Sequence, residues 1–395
     1  MRTSHAKTLL CALVLLAMAV YTGNNRAQAQ FTTLYSFTGA NGDGEYPFPE
    51  GQMIFDSSGN LYGTTAGGGT NYNGTVFQLV PPKSGGAWTE NVLYRFQGGS
   101  DGRQPSTSVV FDQAGNLYGA TQFGGNTQVC GGGCGTIFEL SPPSQPGGQW
   151  THTVLWTFQG SFDGQYPGDV LFGSNGSLFG TTSSGGTPGV LCHSNYRIKF
   201  GCGTLFELTP PAQKGGAWTK TVVYTWPGFK GDGTGPGTEF TFDSQGNVYG
   251  YTSGGTSGYG TVYKLSPPSG KGSWTETVLH DFTGGSDGGY PAGTVTLGPN
   301  GVLYGVGSYS GVANASGVVF ELSESGGVWS EMVLYTFPGF KGDATTPFTT
   351  MAIDPSGNLY GTSVFGGSSA CYEGCDDLQA SSAIGRPRLE RKRSV

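Results

Sequence analysis

The residues able to do chemistry are few and regularly placed. Six of the seven cysteines fall in three close pairs, Cys130/Cys134, Cys192/Cys202 and Cys371/Cys375, and the seventh is Cys11. Paired thiols either oxidise to disulfides or ligate a soft metal ion. A zinc site needs two further ligands, and the histidine nearest any pair is His193. Three local disulfides are therefore expected, with a metal as the lesser alternative. Six aspartates recur in an Asp-x3-Pro spacing: Asp43/Pro47, Asp101/Pro105, Asp163/Pro167, Asp232/Pro236, Asp287/Pro291 and Asp343/Pro347. Carboxylates in a row could hold calcium, but each site offers a single carboxylate, and Asp-Gly is a common turn former. Turn capping and hydrogen bonding between units are expected of them, calcium is the minor option, and no cofactor is called for.

Catalysis finds little purchase. Beyond the first thirty residues the histidines are His152, His193 and His280. His280 replaces the tyrosine of a recurring Leu-Tyr-x-Phe run, which points to a packing role. No Gly-x-Ser-x-Gly, His-Glu-x-x-His or phosphate-cradling loop occurs. Two carboxylates could still meet in a central channel, as in a glycosidase, at positions the sequence does not reveal. No catalytic residue is assigned.

The elements that carry these residues follow from a repeat. Gly-x-(Leu/Val)-(Tyr/Phe)-Gly ends at Gly63, Gly119, Gly180, Gly250, Gly305 and Gly361, with spacings of 56, 61, 70, 55 and 56. Around it recur, in fixed order, the Asp-x3-Pro block, a Gly-(Thr/Val)-hydrophobic-aromatic-x-Leu block from Gly74, Gly135, Gly203, Gly260 and Gly317, and a tryptophan leading into runs such as Val92-Leu-Tyr-Arg-Phe96. Each unit thus holds four short runs of β-branched and aromatic residues separated by Gly, Pro, Asn and Asp. Glycine makes up 73 of 395 residues and charged residues only 11%, which excludes helical bundles, while 13% aromatics excludes disorder. Four strands in about 55 residues, repeated, predict an all-β propeller. Five units are complete. A lone fourth strand at Phe31–Phe37 and first and second strands at 347–363 would combine as a sixth blade and close the ring, leaving the last blade incomplete.

Length varies in one place. From the second-strand glycine to the third-strand glycine the gaps are 11, 16, 23, 10 and 12, whereas the remainder of each unit is 44 to 47 residues. The variable loop between second and third strands shares a face with Asp-x3-Pro, and all three cysteine pairs lie in it. The tryptophans, present in five units, are expected to pack. Aromatics confined to the variable loops, Tyr72, Phe123, Tyr196, Tyr259 and Tyr309, are the ligand candidates, because nothing in the repeat demands them. The longest loop, 181–202, adds the basic residues Arg197 and Lys199.

Address and charge bound the partners. Arg2 and Lys7, twelve apolar residues from Leu9 to Val20, and Ala27-Gln28-Ala29 read as a signal peptide over 1–29, with a mature start at Gln30. Twelve residues span about 18 Å as a helix, too short for a bilayer. Residues 30–385 carry 11 basic and 25 acidic side chains, a balance of −14 that disfavours nucleic acid. A secreted or cell-surface, monomeric protein without a membrane span is expected. After Cys375 the repeat calls for a third strand, but the chain turns into a basic tail over 376–395 ending Arg386-Pro-Arg-Leu-Glu-Arg-Lys-Arg393. The expectation is a frameshift or truncation of the repeat, with a native tail as the alternative.

The pattern resembles the Gloeo/Verruco tandem repeat of secreted bacterial proteins. Leu61 to Thr65 (Leu-Tyr-Gly-Thr-Thr), Gly74 to Phe77 (Gly-Thr-Val-Phe) and Asp101 to Pro105 (Asp-Gly-x-x-Pro) carry the resemblance, over about 31–375. It implies a bacterial exported or surface protein and no established reaction. The expected function is a non-catalytic binding or scaffold module for an extracellular polysaccharide or protein. The alternative is a secreted carbohydrate-active hydrolase or lyase.

Overall fold

The computed structural model describes residues 33–47, 52–105, 107–145, 147–187, 192, 201–213, 215–228, 233–339 and 344–366. The expected signal segment and the basic tail lie outside them. The described residues hold no α-helix, only strands and four single-turn 3-10 segments. The third unit is representative: Gln165–Phe172, Leu178–Ser184, Thr204–Thr209 and Thr219–Thr225 form one antiparallel sheet in sequence order. The second, fourth and fifth units repeat this order, and in the first unit the first strand is broken into Gly44–Pro47 and Ile54–Phe55. In the sixth, Ala344–Pro347 pairs with Ser363–Gly366 and Ala352–Ile353 with Leu359–Tyr360, giving the expected first and second strands.

Local chemistry accounts for the turns. Asp56 ends the first strand of its unit and accepts hydrogen bonds from the Ser58 and Asn60 amides, the Asn60 side chain and the Tyr62 hydroxyl. Asp112, Asp243 and Asp354 repeat the arrangement on Asn116/Tyr118, Asn247/Tyr249 and Asn358/Tyr360. A short polar side chain that folds its own backbone over is the usual device for such a turn.

Register explains the repeated glycine. Gly63, Gly119, Gly180, Gly250 and Gly305 stand opposite Phe77, Phe138, Phe206, Tyr263 and Phe320 of the third strands. Each ring lies across its glycine, where a Cβ would fall 2.3–2.8 Å from the ring or its hydroxyl. The same rings then receive the last aromatic of the preceding unit. Phe96 meets Phe138 at 5.2 Å, Phe158 meets Phe206 at 5.3 Å, Trp226 meets Tyr263 at 5.1 Å and Phe282 meets Phe320 at 5.2 Å. All eight are fully buried, so the core runs between units as much as within them. The tryptophans do pack: Trp218 and Trp274 lie against Tyr118 and Phe179 of the preceding units.

One expectation is corrected. Residues 33–37 of the N-terminal segment form no strand. A strand needs a ladder partner, and no third strand of the sixth unit lies among the described residues. The side chains nevertheless take fourth-strand places, with Phe37 on Phe77 at 4.7 Å and Tyr35 in the same cluster.

The units are joined by a backbone clamp. The residue before each repeated proline donates its N–H to the carbonyl just before the preceding unit's third-strand glycine. The pairs are Gln104 to Asn73, Tyr166 to Cys134, Gly235 to Cys202, Tyr290 to Tyr259 and Thr346 to Ser316, at 2.7–2.9 Å. The proline ring packs against that glycine. At Gly135, with φ +98°, a Cβ would lie 2.4 Å from Pro167 Cδ and 2.6 Å from the Thr121 carbonyl. Gly135→Ala should therefore cost about 2–4 kcal/mol in urea unfolding, combining left-handed strain with a broken clamp. Gly215→Ala, at φ +83° with nothing within 4 Å, should cost only about 1 kcal/mol. Equal losses at the two positions would show that the clamp contributes nothing.

Candidate functional site

The variable loops and the Asp-x3-Pro turns do share a face, because the clamp ties one to the other. On it Tyr259 and Tyr309 stack at 5.5 Å with planes 19° apart. Tyr290, which the sequence pattern does not single out, completes the group at 5.4 Å from Tyr259 and 5.8 Å from Tyr309. Tyr259 lies over the backbone of Gly284 and Gly289, where a Cβ would come within 2.4 and 3.0 Å of it. Tyr290 and Tyr309 remain exposed. Two joints away Phe123 meets Tyr166 at 5.3 Å, with the Arg103 guanidinium 5.3 Å from the Phe123 ring centroid. Tyr72 is exposed at the tip of its own loop. Tyr196, Arg197, Lys199, Cys371 and Cys375 lie outside the described residues. The signal that could have found Tyr290 is the dipeptide Tyr-Pro, present at Tyr46, Tyr166 and Tyr290.

Disulfides Cys130–Cys134 and Cys192–Cys202 are formed, each with Cα atoms 5.2 Å apart. Cys134 and Cys202 each supply a clamp carbonyl, so the bridges also fix the joints beside which the aromatics sit. Four of the six Asp-x3-Pro carboxylates act as turn caps, and Asp232 and Asp343 lie outside the described residues. Asp101 and Asp163 accept from the Gln97 and Gln159 amides, and Asp43 and Asp287 from both the amide and hydroxyl of Thr38 and Thr283. Among the described residues no three His, Cys, Asp or Glu side chains gather into a metal-ligating group. Nor is any helix among them long and apolar enough to cross a membrane.

A second polar assembly emerges from the first strands. Four residues before the turn position of each unit stand Gln52, Ser108, Asp169, Glu239, Thr294 and Thr350. The Gln52 amide donates to Ser108 Oγ at 2.6 Å, and the Ser108 amide to Asp169 Oδ1 at 2.7 Å. Thr350 Oγ1 donates to Glu239 Oε2 at 2.6 Å while accepting from the Thr294 amide at 2.8 Å. Asp169 and Glu239 are 6% and 3% exposed and are bound into this layer.

The joints hold a third set of ionisable groups, two residues beyond each tryptophan: Glu90, His152, Lys220, Glu276 and Glu331. The first four face the end of the preceding fourth strand, and Glu331 lies beside the turn aspartate Asp287. Tyr35 donates to Glu90, Tyr94 stacks on His152 at 4.4 Å, and Tyr224 and Trp226 donate to Glu276. Lys220 sits among Trp156, Phe158 and Phe206 and pairs with Asp163 at 2.9 Å. Burial lowers its pKa, and the Asp163 charge opposes this. His152 pairs with Asp101 at 3.1 Å, and His280 Nε2 lies 3.4 Å from Asp287. Two joints place like charges together. Burial, then the charge of Asp43, pushes Glu90 up to about 7, and burial, then Asp287, does the same to Glu331. A raised carboxyl favours the protonated fold. Its contribution is complete below the unfolded value of 4.5 and is lost as pH climbs through 7. His280, lowered by burial, acts in the opposite sense below 6.5 and is common to parent and variant. A Glu90→Gln/Glu331→Gln double variant should thus lose less thermal stability than the parent between pH 5 and 7.5. Parallel curves of Tm against pH would refute the assignment.

No curated protein matches the sequence. Similar solved structures include an oxidoreductase (glucose dehydrogenase) of Thermus thermophilus, 17% identical over 81% of this chain and 91% of that one, with a TM-score of 0.44. An ulvan lyase bound to -[GlcA(1-4)Rha3S]- is 11% identical over 80% and 81%, with a TM-score of 0.45. The periplasmic gluconolactonase of Pseudomonas aeruginosa is 15% identical over 80% and 87%, with a TM-score of 0.46. The Gloeobacter/Verrucomicrobia repeat model matches twice, over residues 19–191 and 191–372, in agreement with the unit-by-unit recurrence of the glycine, aromatic and proline contacts. The chain belongs to the Gloeobacter/Verrucomicrobia repeat family.

Proposed function

We propose that this protein is an exported, non-catalytic module that binds an extracellular carbohydrate through the face bearing the variable loops. The observation that carries the reading is the Tyr259–Tyr290–Tyr309 group, in which Tyr259 of a variable loop meets Tyr290 and Tyr309 at the exposed ends of two paired strands. Aromatic faces offer large contact areas at low entropic cost, and loops on a rigid scaffold are where binding residues gather. Export rests on the signal pattern and is supported by the two disulfides, which persist in oxidising compartments. The scaffold is a six-bladed propeller in this reading. Two contacts support it. Glu239 of the fourth unit reaches Thr350 of the sixth past the fifth, and Phe37 occupies a fourth-strand place ahead of the first unit.

A carbohydrate-active hydrolase or lyase is the second reading, and Asp169 and Glu239 are what it would draw on. Their burial and their hydrogen bonds favour a structural layer instead. A glycan array with a parallel degradation assay on the purified protein separates the two. Retention of a glycan without fragments is expected, with Tyr259→Ala and Tyr309→Ala each weakening it about tenfold. Released sugar fragments, abolished by Glu239→Gln, would overturn the non-catalytic reading.

A further inference from the structure

The residue before the repeated proline has the same unusual backbone in every unit. Tyr46, Gln104, Tyr166, Gly235, Tyr290 and Thr346 have φ of 55°, 54°, 59°, 62°, 49° and 53°. Side chains other than glycine rarely take this left-handed region, a bulky ring least of all, and a following proline restricts the residue further. At Gln104, Tyr166, Gly235, Tyr290 and Thr346 the clamp accounts for the backbone, since the N–H must turn toward the preceding unit's loop carbonyl. It does not explain the side chains. Gly235 makes the same hydrogen bond with none at all, and Gln104 and Thr346 make it with polar ones. Three tyrosines therefore carry a strain that glycine would relieve.

Nor does core packing account for them. Tyr46 is 67% exposed and Tyr290 41%. The rings that Tyr166 and Tyr290 touch are Phe123 and Tyr259 on variable loops and Tyr309 at the end of the strand that leads into one. Strain maintained without a packing return is a mark of a functional position. The spacing adds a second observation: the tyrosines occur in the first, third and fifth units, and the second, fourth and sixth carry Gln, Gly and Thr. A polysaccharide recurs in this way, because the same apolar sugar face returns along the chain. The acidic body, −14 over residues 30–385, sets it against acidic polymers.

We infer that Tyr46, Tyr166 and Tyr290 are three equivalent stacking subsites, and that the ligand is a neutral polysaccharide held at several points at once. This rests on the carbohydrate-binding reading above and specifies its substrate class. Linked weak contacts raise the overall affinity by roughly 10²–10⁴ over one contact, provided they engage together. The protein would then discriminate a polymer from its own short fragments.

The test uses the full secreted chain on immobilised neutral glucans, mannans, xylans and galactans, with the matching disaccharides as soluble competitors. The parent should be retained by at least one polymer, with its disaccharide binding about a hundredfold more weakly. Tyr46→Gly, Tyr166→Gly and Tyr290→Gly should each lower polymer affinity about tenfold, and the triple variant should not be retained. Because glycine suits this backbone, each Tm should stay within about 2 °C of the parent. If Tyr290→Gly alone abolishes retention and the other two change nothing, a single site stands and the repeated subsites fall. Disaccharide and polymer binding equally well would also remove the repeated subsites. A drop in Tm of more than about 8 °C in all three variants would make the tyrosines structural. Failure of the parent to bind any neutral polymer would remove the carbohydrate reading itself.

Discussion

An aromatic ring laid across a glycine is the contact on which the rest of this molecule depends. The third-strand ring can lie flat only because the second strand offers no Cβ, and in that place it becomes the floor for the last aromatic of the preceding unit. One substitution-sensitive pair thus serves two interfaces. It builds the sheet and fixes how the next sheet leans on it. The requirement explains why the glycine of the Leu-Tyr-Gly run does not change from unit to unit. Register shifts beside that ring, at Val76/Phe77, Ile137/Phe138, Leu205/Phe206, Val262/Tyr263 and Val319/Phe320, place a bulge at the same point of every complete unit. Such bulges increase local twist and turn the fourth strand toward its neighbour.

Much of this was legible in the residues. Runs of β-branched and aromatic side chains between Gly, Asp and Asn located the strands of the complete units, and the spacing of the glycines located the one loop that varies. Cysteines in equivalent loops paired locally where they are described, and Asp-Gly proved to be turn chemistry. The candidate site was legible by half. Tyr259 and Tyr309 stood out because no repeat position required them. Tyr290 was hidden because it occupies a repeat position, and its backbone angle leaves no trace in composition or periodicity. Asp169 and Glu239 were hidden for a different reason. They become a layer only when strands from separate units come side by side, and no motif within a unit encodes that meeting. Residues 33–37 went astray because a strand is a property of two segments, and the ladder partner was assumed.

The joints show how a repeat can vary without losing register. Position two beyond the tryptophan is Glu, His or Lys, yet Glu90, His152, Lys220 and Glu276 each find a partner in the neighbouring strand end or the turn aspartate: a hydroxyl, a stacked ring, a carboxylate. The surrounding aromatics supply packing that is indifferent to the charge they enclose. Where two carboxyl groups come together, burial and the charge of the turn aspartate raise the pKa of the buried glutamate. Polar variation is therefore concentrated where two units meet, against an apolar background that does not change.

The clamp itself asks nothing of side chains on the loop it grips. Its acceptor is a main-chain carbonyl, contributed by Asn73, Cys134, Cys202, Tyr259 or Ser316 without preference. Its donor is a main-chain amide, and only the glycine and proline flanking them are fixed. A joint of this kind is blind to what it joins. Any unit can follow any other, so duplication, deletion or exchange of whole units during replication yields a chain whose seams still close. Loops of any length can be carried along in the process. The gene is thereby free to assemble new faces from old parts, and the regularity of the scaffold is what makes its surface evolvable.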